Sequence, residues 1–235
     1  MNEQSVALVT GSSRGVGRGI AEHLLKEGHR VAGCSRGPSS LAVKGYEHDI
    51  VDVGDDEQVK AWVRKVGRHH GRIDIVVNNA GVFLPPAMVA VTSAEMVEQT
   101  FRTNFMGTFA VCRESSKVML RRRFGRIINI SSIVTKMHMP GASIYAASKS
   151  AAVEFSKVLA KELIPGGITC NVVAVSLVES DTTSRMDPQS IEIYKQGLAI
   201  GRWASIEDVC NVVSFFASPA SSHVTGQVIH LDFVD

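Results

Sequence analysis

Residues 6–25 constrain the fold more than any other stretch. Val6-Ala-Leu-Val-Thr10 is a short apolar run with β-branched residues, the pattern of a buried strand. It passes directly into Gly11-Ser12-Ser13-Arg14-Gly15-Val16-Gly17. An amphipathic stretch through Ile20, Leu24 and Leu25 follows and stops at Gly28. Strand, glycine-rich turn and helix in that order open a βαβ unit. The glycines let backbone approach a pyrophosphate, which then sits at the positive end of the helix dipole. The spacing is Thr-Gly-x-x-x-Gly-x-Gly, not the commoner Gly-x-Gly-x-x-Gly. A nucleotide is the expected ligand, held by Gly11, Ser13, Arg14, Gly15, Val16 and Gly17.

The rest of the chain repeats the alternation. Strands are expected at 30–34, 46–51, 73–78, 127–130, 169–175 and 227–231. Helices are expected at 55–71, 93–122 and 144–163, and again from Ser205, an N-cap with acids in the turn behind it. No helix is legible between residues 37 and 46. Alternation of this kind implies an α/β fold with a parallel sheet covered on both faces. The 235 residues suit a single domain, 1–235. Residues 177–202 are polar, broken by Pro188 and Gly197, and read as a lid.

Composition excludes several classes. A net charge of +2 gives no footprint for nucleic acid, and no apolar run is long enough to span a membrane. Met1-Asn-Glu-Gln-Ser5 lacks the regions of a signal peptide, so a cytoplasmic protein is expected. Cys34, Cys112, Cys170 and Cys210 are scattered and are expected as buried, reduced thiols. The histidines show no ligand spacing. His69 and His70, beside Gly71, read as solvated, and no metal is expected.

Chemistry concentrates at the strand ends. The second strand ends at Ser35-Arg36 with no Asp or Glu, where enzymes that bind NAD usually carry an acid for the ribose. Arg36 and Arg14 suit a 2′-phosphate instead, which points to NADP(H). Asp52-Val53 are placed to flank an adenine, and Asn79-Ala80-Gly81 close the fourth strand against the cofactor. Asn104, inside a helix, competes for backbone hydrogen bonds and is expected to mark a kink with a freed carbonyl. Tyr145 and Lys149 lie one helical turn apart on one face. A nearby ammonium favours the phenolate, so such a pair can move a proton to or from a substrate oxygen.

With Thr10–Gly17, Asn78–Gly81, Asn104, Ser132 and Tyr145–Lys149 in this order, the chain resembles the short-chain dehydrogenase/reductase family. Within it the runs Val9–Gly17, Phe124–Ser132 and Val224–His230 are most similar to the 3-oxoacyl-(acyl-carrier-protein) reductase type. The resemblance implies a Rossmann-type doubly wound sheet of seven strands, NADP as hydride carrier, and a homotetramer or homodimer. It implies that Tyr145 donates a proton to a carbonyl oxygen and that Ser132, thirteen residues before it, orients that oxygen. Lys149 then holds the nicotinamide ribose and lowers the Tyr145 pKa, and Asn104 fixes a water leading to Lys149. Val178 and Ser180 fall where relatives contact the nicotinamide carboxamide. Two departures stand out: Val175-Ser176 where the family has Pro-Gly, and Phe233-Val234-Asp235 after Asp232. The substrate implied is a small carbonyl or alcohol, free or carrier-bound; Arg121-Arg122-Arg123, a local basic cluster, reads either as a solvated turn or as a docking site for an acidic carrier protein. A non-catalytic NADP-binding protein on the same fold is the alternative, and such proteins usually lose the Tyr or Lys.

Overall fold

The computed structural model describes residues 4–83, 86–178, 191–192, 194–195 and 197–234. Seven strands form one sheet: β1 (Val6–Thr10), β2 (Arg30–Ser35), β3 (Tyr46–Ile50), β4 (Ile75–Asn78), β5 (Gly125–Ser132), β6 (Ile168–Val175) and β7 (Val228–His230). Their order is β3-β2-β1-β4-β5-β6-β7, and every pairing is parallel. The doubly wound, seven-stranded architecture is therefore present. The order reverses between β1 and β4, which opens a crevice at their carboxyl ends.

Alternation along the strands feeds two cores. Val6 and Leu8 of β1 face one side, where Val59, Trp62, Val63 and Val66 of α2 (Asp56–His70) pack. Val111 and Met119 of α4 (Gly107–Arg122) and Leu159 and Leu163 of α6 (Ser143–Leu163) complete that layer. Ala7 and Val9 face the other side, against Ile20 and Leu24 of α1 (Gly15–Lys26) and Val213 and Phe216 of α7 (Ile206–Ala217). Ser205 caps α7 through a full capping box with Asp208, as its sequence predicts. All four cysteines are buried and free. Asn78 donates to Asn129 Oδ1 at 2.8 Å, and Asn129 donates to Ser156 Oγ at 2.7 Å. This buried chain of polar groups stitches β4, β5 and α6 together.

The helix expected over 93–122 is not continuous. It divides into α3 (Ala94–Phe101), a wide π-helical turn (Arg102–Met106) and α4. Asn104 stands in that turn, where the kink was expected. Its carbonyl is not free, however, because the Thr108 hydroxyl donates to it at 2.9 Å. A short helix, α5 (Val134–Met137), precedes α6. His70 is not solvated as expected: the last turn of α2 tucks it against β3, leaving its side chain 7% exposed. Of the lid, residues 179–190, 193 and 196 lie outside the described residues. Its later part is anchored by Asp232, which accepts from the backbone N–H groups of Ala199 and Ile200. Among the described residues, no helix is long and apolar enough to cross a membrane.

Candidate active site

A groove of about 680 Å³ runs over the carboxyl ends of β1, β2 and β4. Gly11, Ser13, Arg14, Gly15, Val16, Gly17, Ser35, Arg36, Asp52, Val53, Asn79, Ala80 and Gly81 all line it. Gly11 and Gly15 have φ of 69° and 54°, backbone that favours glycine. A Cβ on Gly17 would overlap Asn79 Nδ2 and Gly11 O, so the turn can lie this close to β4 only without a side chain. Thr10 Oγ1 fixes the facing loop by accepting from the N–H groups of Asn79 and Ala80, each at 3.0 Å. The amino end of α1 carries no side-chain cap and no acid in its first turn. By contrast α2, α3 and α7 are capped by Asp55, Ser93 and Ser205 and carry acids there. The α1 terminus thus keeps donors and a positive dipole end for an anion.

Sequence reasoning missed part of this wall. Gly37, Pro38, Val51, Val82 and Thr103 also line the groove. Each adjoins or lies next but one to a residue that was singled out, and adjacency was the only available signal. Less legible was what supports the Ser35-Arg36 end. Ser12 Oγ, Tyr46 OH and His48 Nδ1 are linked at 2.9 Å per step. His48 Nε2 stands 3.1 Å from Ser35 Oγ and 3.0 Å from the Gly37 carbonyl. The Tyr46 ring crosses β2 at Gly33, where any Cβ would overlap both Ser12 Oγ and Tyr46 OH.

Of the four residues assigned to chemistry, Asn104 and Lys149 stand behind the groove wall at Gly81, where a Cβ would lie 3.2 Å from Asn104 Oδ1 and 3.3 Å from Lys149 Nζ. Tyr145 and Lys149 occupy the first two turns of α6, and Ser132 ends β5. The Ser132 hydroxyl lies close enough to the Tyr145 phenol to act on its ionisation, and it accepts from the Val134 N–H at 3.3 Å. Phe83 packs edge-on to the Tyr145 ring, with centroids 5.1 Å apart. Lys149 is 5% exposed and donates to the Ile130 carbonyl at 3.0 Å. Buried Asn104 accepts from the Val82 N–H at 2.8 Å and donates to Ser148 Oγ at 3.0 Å. It therefore ties the loop after β4 to the helix that carries the Tyr–Lys pair.

The expected lowering of the Tyr145 pKa is not what the free protein shows. Burial pushes the phenol up to about 12; the Ser132 hydroxyl opposes this, and the nearby Tyr194 adds to it. Burial also lowers the Lys149 ammonium to about 8. Desolvation wins because Lys149 Nζ lies 6.0 Å from the phenol ring centroid and points to a carbonyl. Of the remaining expected contacts, Val178 is buried and forms an isolated bridge to Ala204. Ser180 lies outside the described residues. Ser176, at the first departure from the family pattern, keeps a buried hydroxyl with no partner among the described residues.

The comparisons agree with this geometry. The family model described as enoyl-(acyl carrier protein) reductase matches residues 11–233. The chain is 34% identical over 236 residues to the 3-oxoacyl-(acyl-carrier-protein) reductase FabG of Staphylococcus aureus strain Mu50, covering 96% of each. The FabG of Escherichia coli strain K12 is 34% identical over 237 residues, covering 98% of this chain and 96% of the relative. Among solved structures, ElxO with NADP bound superposes with a TM-score of 0.91 at 27% identity, covering 97% of each chain. A variant of actinorhodin polyketide ketoreductase with NADPH gives 0.88 at 30% identity, covering 98% of this chain and 97% of that one. On the motifs, the sheet order and these matches along almost the whole chain, the protein belongs to the short-chain dehydrogenase/reductase family.

Proposed function

We propose that the protein is an NADPH-dependent keto reductase, interconverting a ketone and an alcohol. The observation that carries this is the grouping of Tyr145, Ser132 and Lys149, with Lys149 reaching the wall of a dinucleotide-sized groove at Gly81. The groove fits the cofactor on its own terms. The uncapped α1 terminus suits the pyrophosphate, and Arg14 and Arg36, with no acid at the end of β2, suit a 2′-phosphate. The bound cofactor supplies the hydride. Tyr145 gives its phenolic proton to the substrate oxygen, and the Ser132 hydroxyl holds that oxygen in line. Lys149 reaches the ribose and, once charged, favours loss of the Tyr145 proton. Retention of Asn104, Ser132, Tyr145 and Lys149 together disfavours a non-catalytic binding protein.

The finer reading is that the ketone is a β-ketoacyl thioester or a specialised-metabolite ketone, as the names of the relatives suggest. Arg121, Arg122 and Arg123 are exposed at the end of α4 and offer a docking cluster for an acidic carrier protein. Segment 177–202 acts as the lid. In support, Tyr194 is buried and electrostatically coupled to Tyr145, and Gly197 lies against Met137 of α5. The decisive experiment follows NADPH oxidation over a panel of ketones and β-ketoacyl thioesters, with NADH alongside. Turnover with a clear preference for NADPH is expected. Tight NADPH binding without turnover of any carbonyl or alcohol would overturn the catalytic reading, and equal use of NADH would overturn the cofactor assignment.

A further inference from the structure

The carboxyl end of α2 places two adjacent histidines against the sheet edge. Glu47, on the edge strand β3, points an oxygen at both. Glu47 Oε1 stands 3.6 Å from His69 Nε2 and 3.5 Å from His70 Nε2. The imidazole centroids are 4.5 Å apart, edge to face, and the three ligand-capable atoms all lie within 4.8 Å of one another. Those separations exceed the roughly 2.7–3.2 Å of an ordinary N–H···O bond. The two Glu47–histidine distances instead match edges of a coordination shell, since ligands about 2.0–2.2 Å from a tetrahedral zinc ion stand about 3.3–3.6 Å apart.

The donors and their setting point the same way. Two imidazole nitrogens and one carboxylate oxygen form a set that zinc and its neighbours in the transition series accept. A histidine must be neutral to ligate. The backbones beneath are rigid. Val59, Trp62, Val63 and Val66 seat α2 in the core, Gly71 ends the helix at a φ of 69°, and β3 pairs with β2 over five residues.

We propose that Glu47, His69 and His70 form a surface site for one divalent transition-metal ion of the zinc class, with water completing its shell. The ion fastens the end of α2 to the exposed sheet edge. Its role is structural, since β2, β1 and β4 separate β3 from the strand that carries Ser132. Sequence spacing gave no sign of the site because the third ligand comes from a different element, twenty-two residues upstream.

The test titrates chelator-treated protein with zinc chloride by calorimetry and follows the unfolding midpoint. One ion per chain, binding in the micromolar range or tighter, is expected, with the midpoint rising as zinc is added. Magnesium chloride is expected to give neither effect. Glu47→Gln and His69→Ala change side chains that are 46% and 62% exposed, so the fold tolerates them. Each is expected to weaken zinc binding by at least about tenfold and to leave ketone reduction unchanged. Absence of stoichiometric binding, or undiminished zinc affinity in either variant, would overturn the site.

Discussion

Lys149 is an ammonium held where an ammonium is disfavoured. Its value falls from 10.5 to about 8 through burial alone. Its folded value lies below its unfolded one, so the folded chain binds fewer protons between about pH 8 and 10.5, and stability rises across that window. At pH 7 the buried charge therefore costs about 3 kcal/mol. Lys149→Met is expected to raise the unfolding midpoint at pH 7, less so at pH 10, while abolishing reduction; denaturation scans at both pH values check this. Tyr145, up at about 12, stays protonated across the same range. The first loss of rate on raising pH in the free enzyme is thus expected near 8, from Lys149. Tyr145→Phe removes the proton donor and keeps the ring packed on Phe83, so kcat is expected to fall by at least about a hundredfold while NADPH still binds. Near-normal turnover of that variant would refute the proton-transfer role. The Tyr–Lys pair was legible because its spacing is helical. The direction of its shifts was not, because desolvation depends on what lies above the helix.

Among the elements, the end of β2 and the turn after it depend on neighbours far off in the chain. Tyr46 and His48 come from β3, yet they brace Ser35 and Gly37 beneath the groove. Tyr46→Phe deletes the hydrogen bonds to both Ser12 and His48. Two neutral hydrogen bonds at about 0.5–1.5 kcal/mol each correspond to a severalfold or greater rise in KM for NADPH, with kcat retained. Steady-state kinetics separates the two, and a fall in kcat at constant KM would contradict a bracing role. The sequence announced Arg14 and Arg36 because charge without an acid is a local pattern. It could not announce the brace, which forms only when β3 pairs with β2. The break after α3 follows the same logic. Asn104 signalled a disturbance, but its side-chain partners, Val82 and Ser148, come from elements distant in the chain.

At the scale of the whole molecule, the sheet order and both cores follow from strand alternation and helix spacing, which is why the fold could be read in advance. Assembly is a separate matter. Leu120 of α4 and Val158 of α6 are 44% and 57% exposed, and Ile164 just after α6 is 43% exposed. Apolar side chains left on the outer layer favour association of copies. Light scattering is expected to give a mass two or four times 25.3 kDa, and a mass of 25.3 kDa would refute the oligomer. Apart from the hydrogen-bonded amides of residues 197–200, hydrogen exchange is expected to be fast in segment 177–202 of the free protein and to slow with NADP and substrate. Slow exchange throughout would mean a fixed element. The bare amino end of α1 reaches beyond catalysis. A helix whose last missing cap is a metabolite is finished only when that metabolite is present, and a ligand at one hundred times its Kd adds about 2.7 kcal/mol to folding. Abundance of the intact protein in a cell would then track the size of its dinucleotide pool, so cofactor supply would set how much enzyme survives as well as how fast it runs.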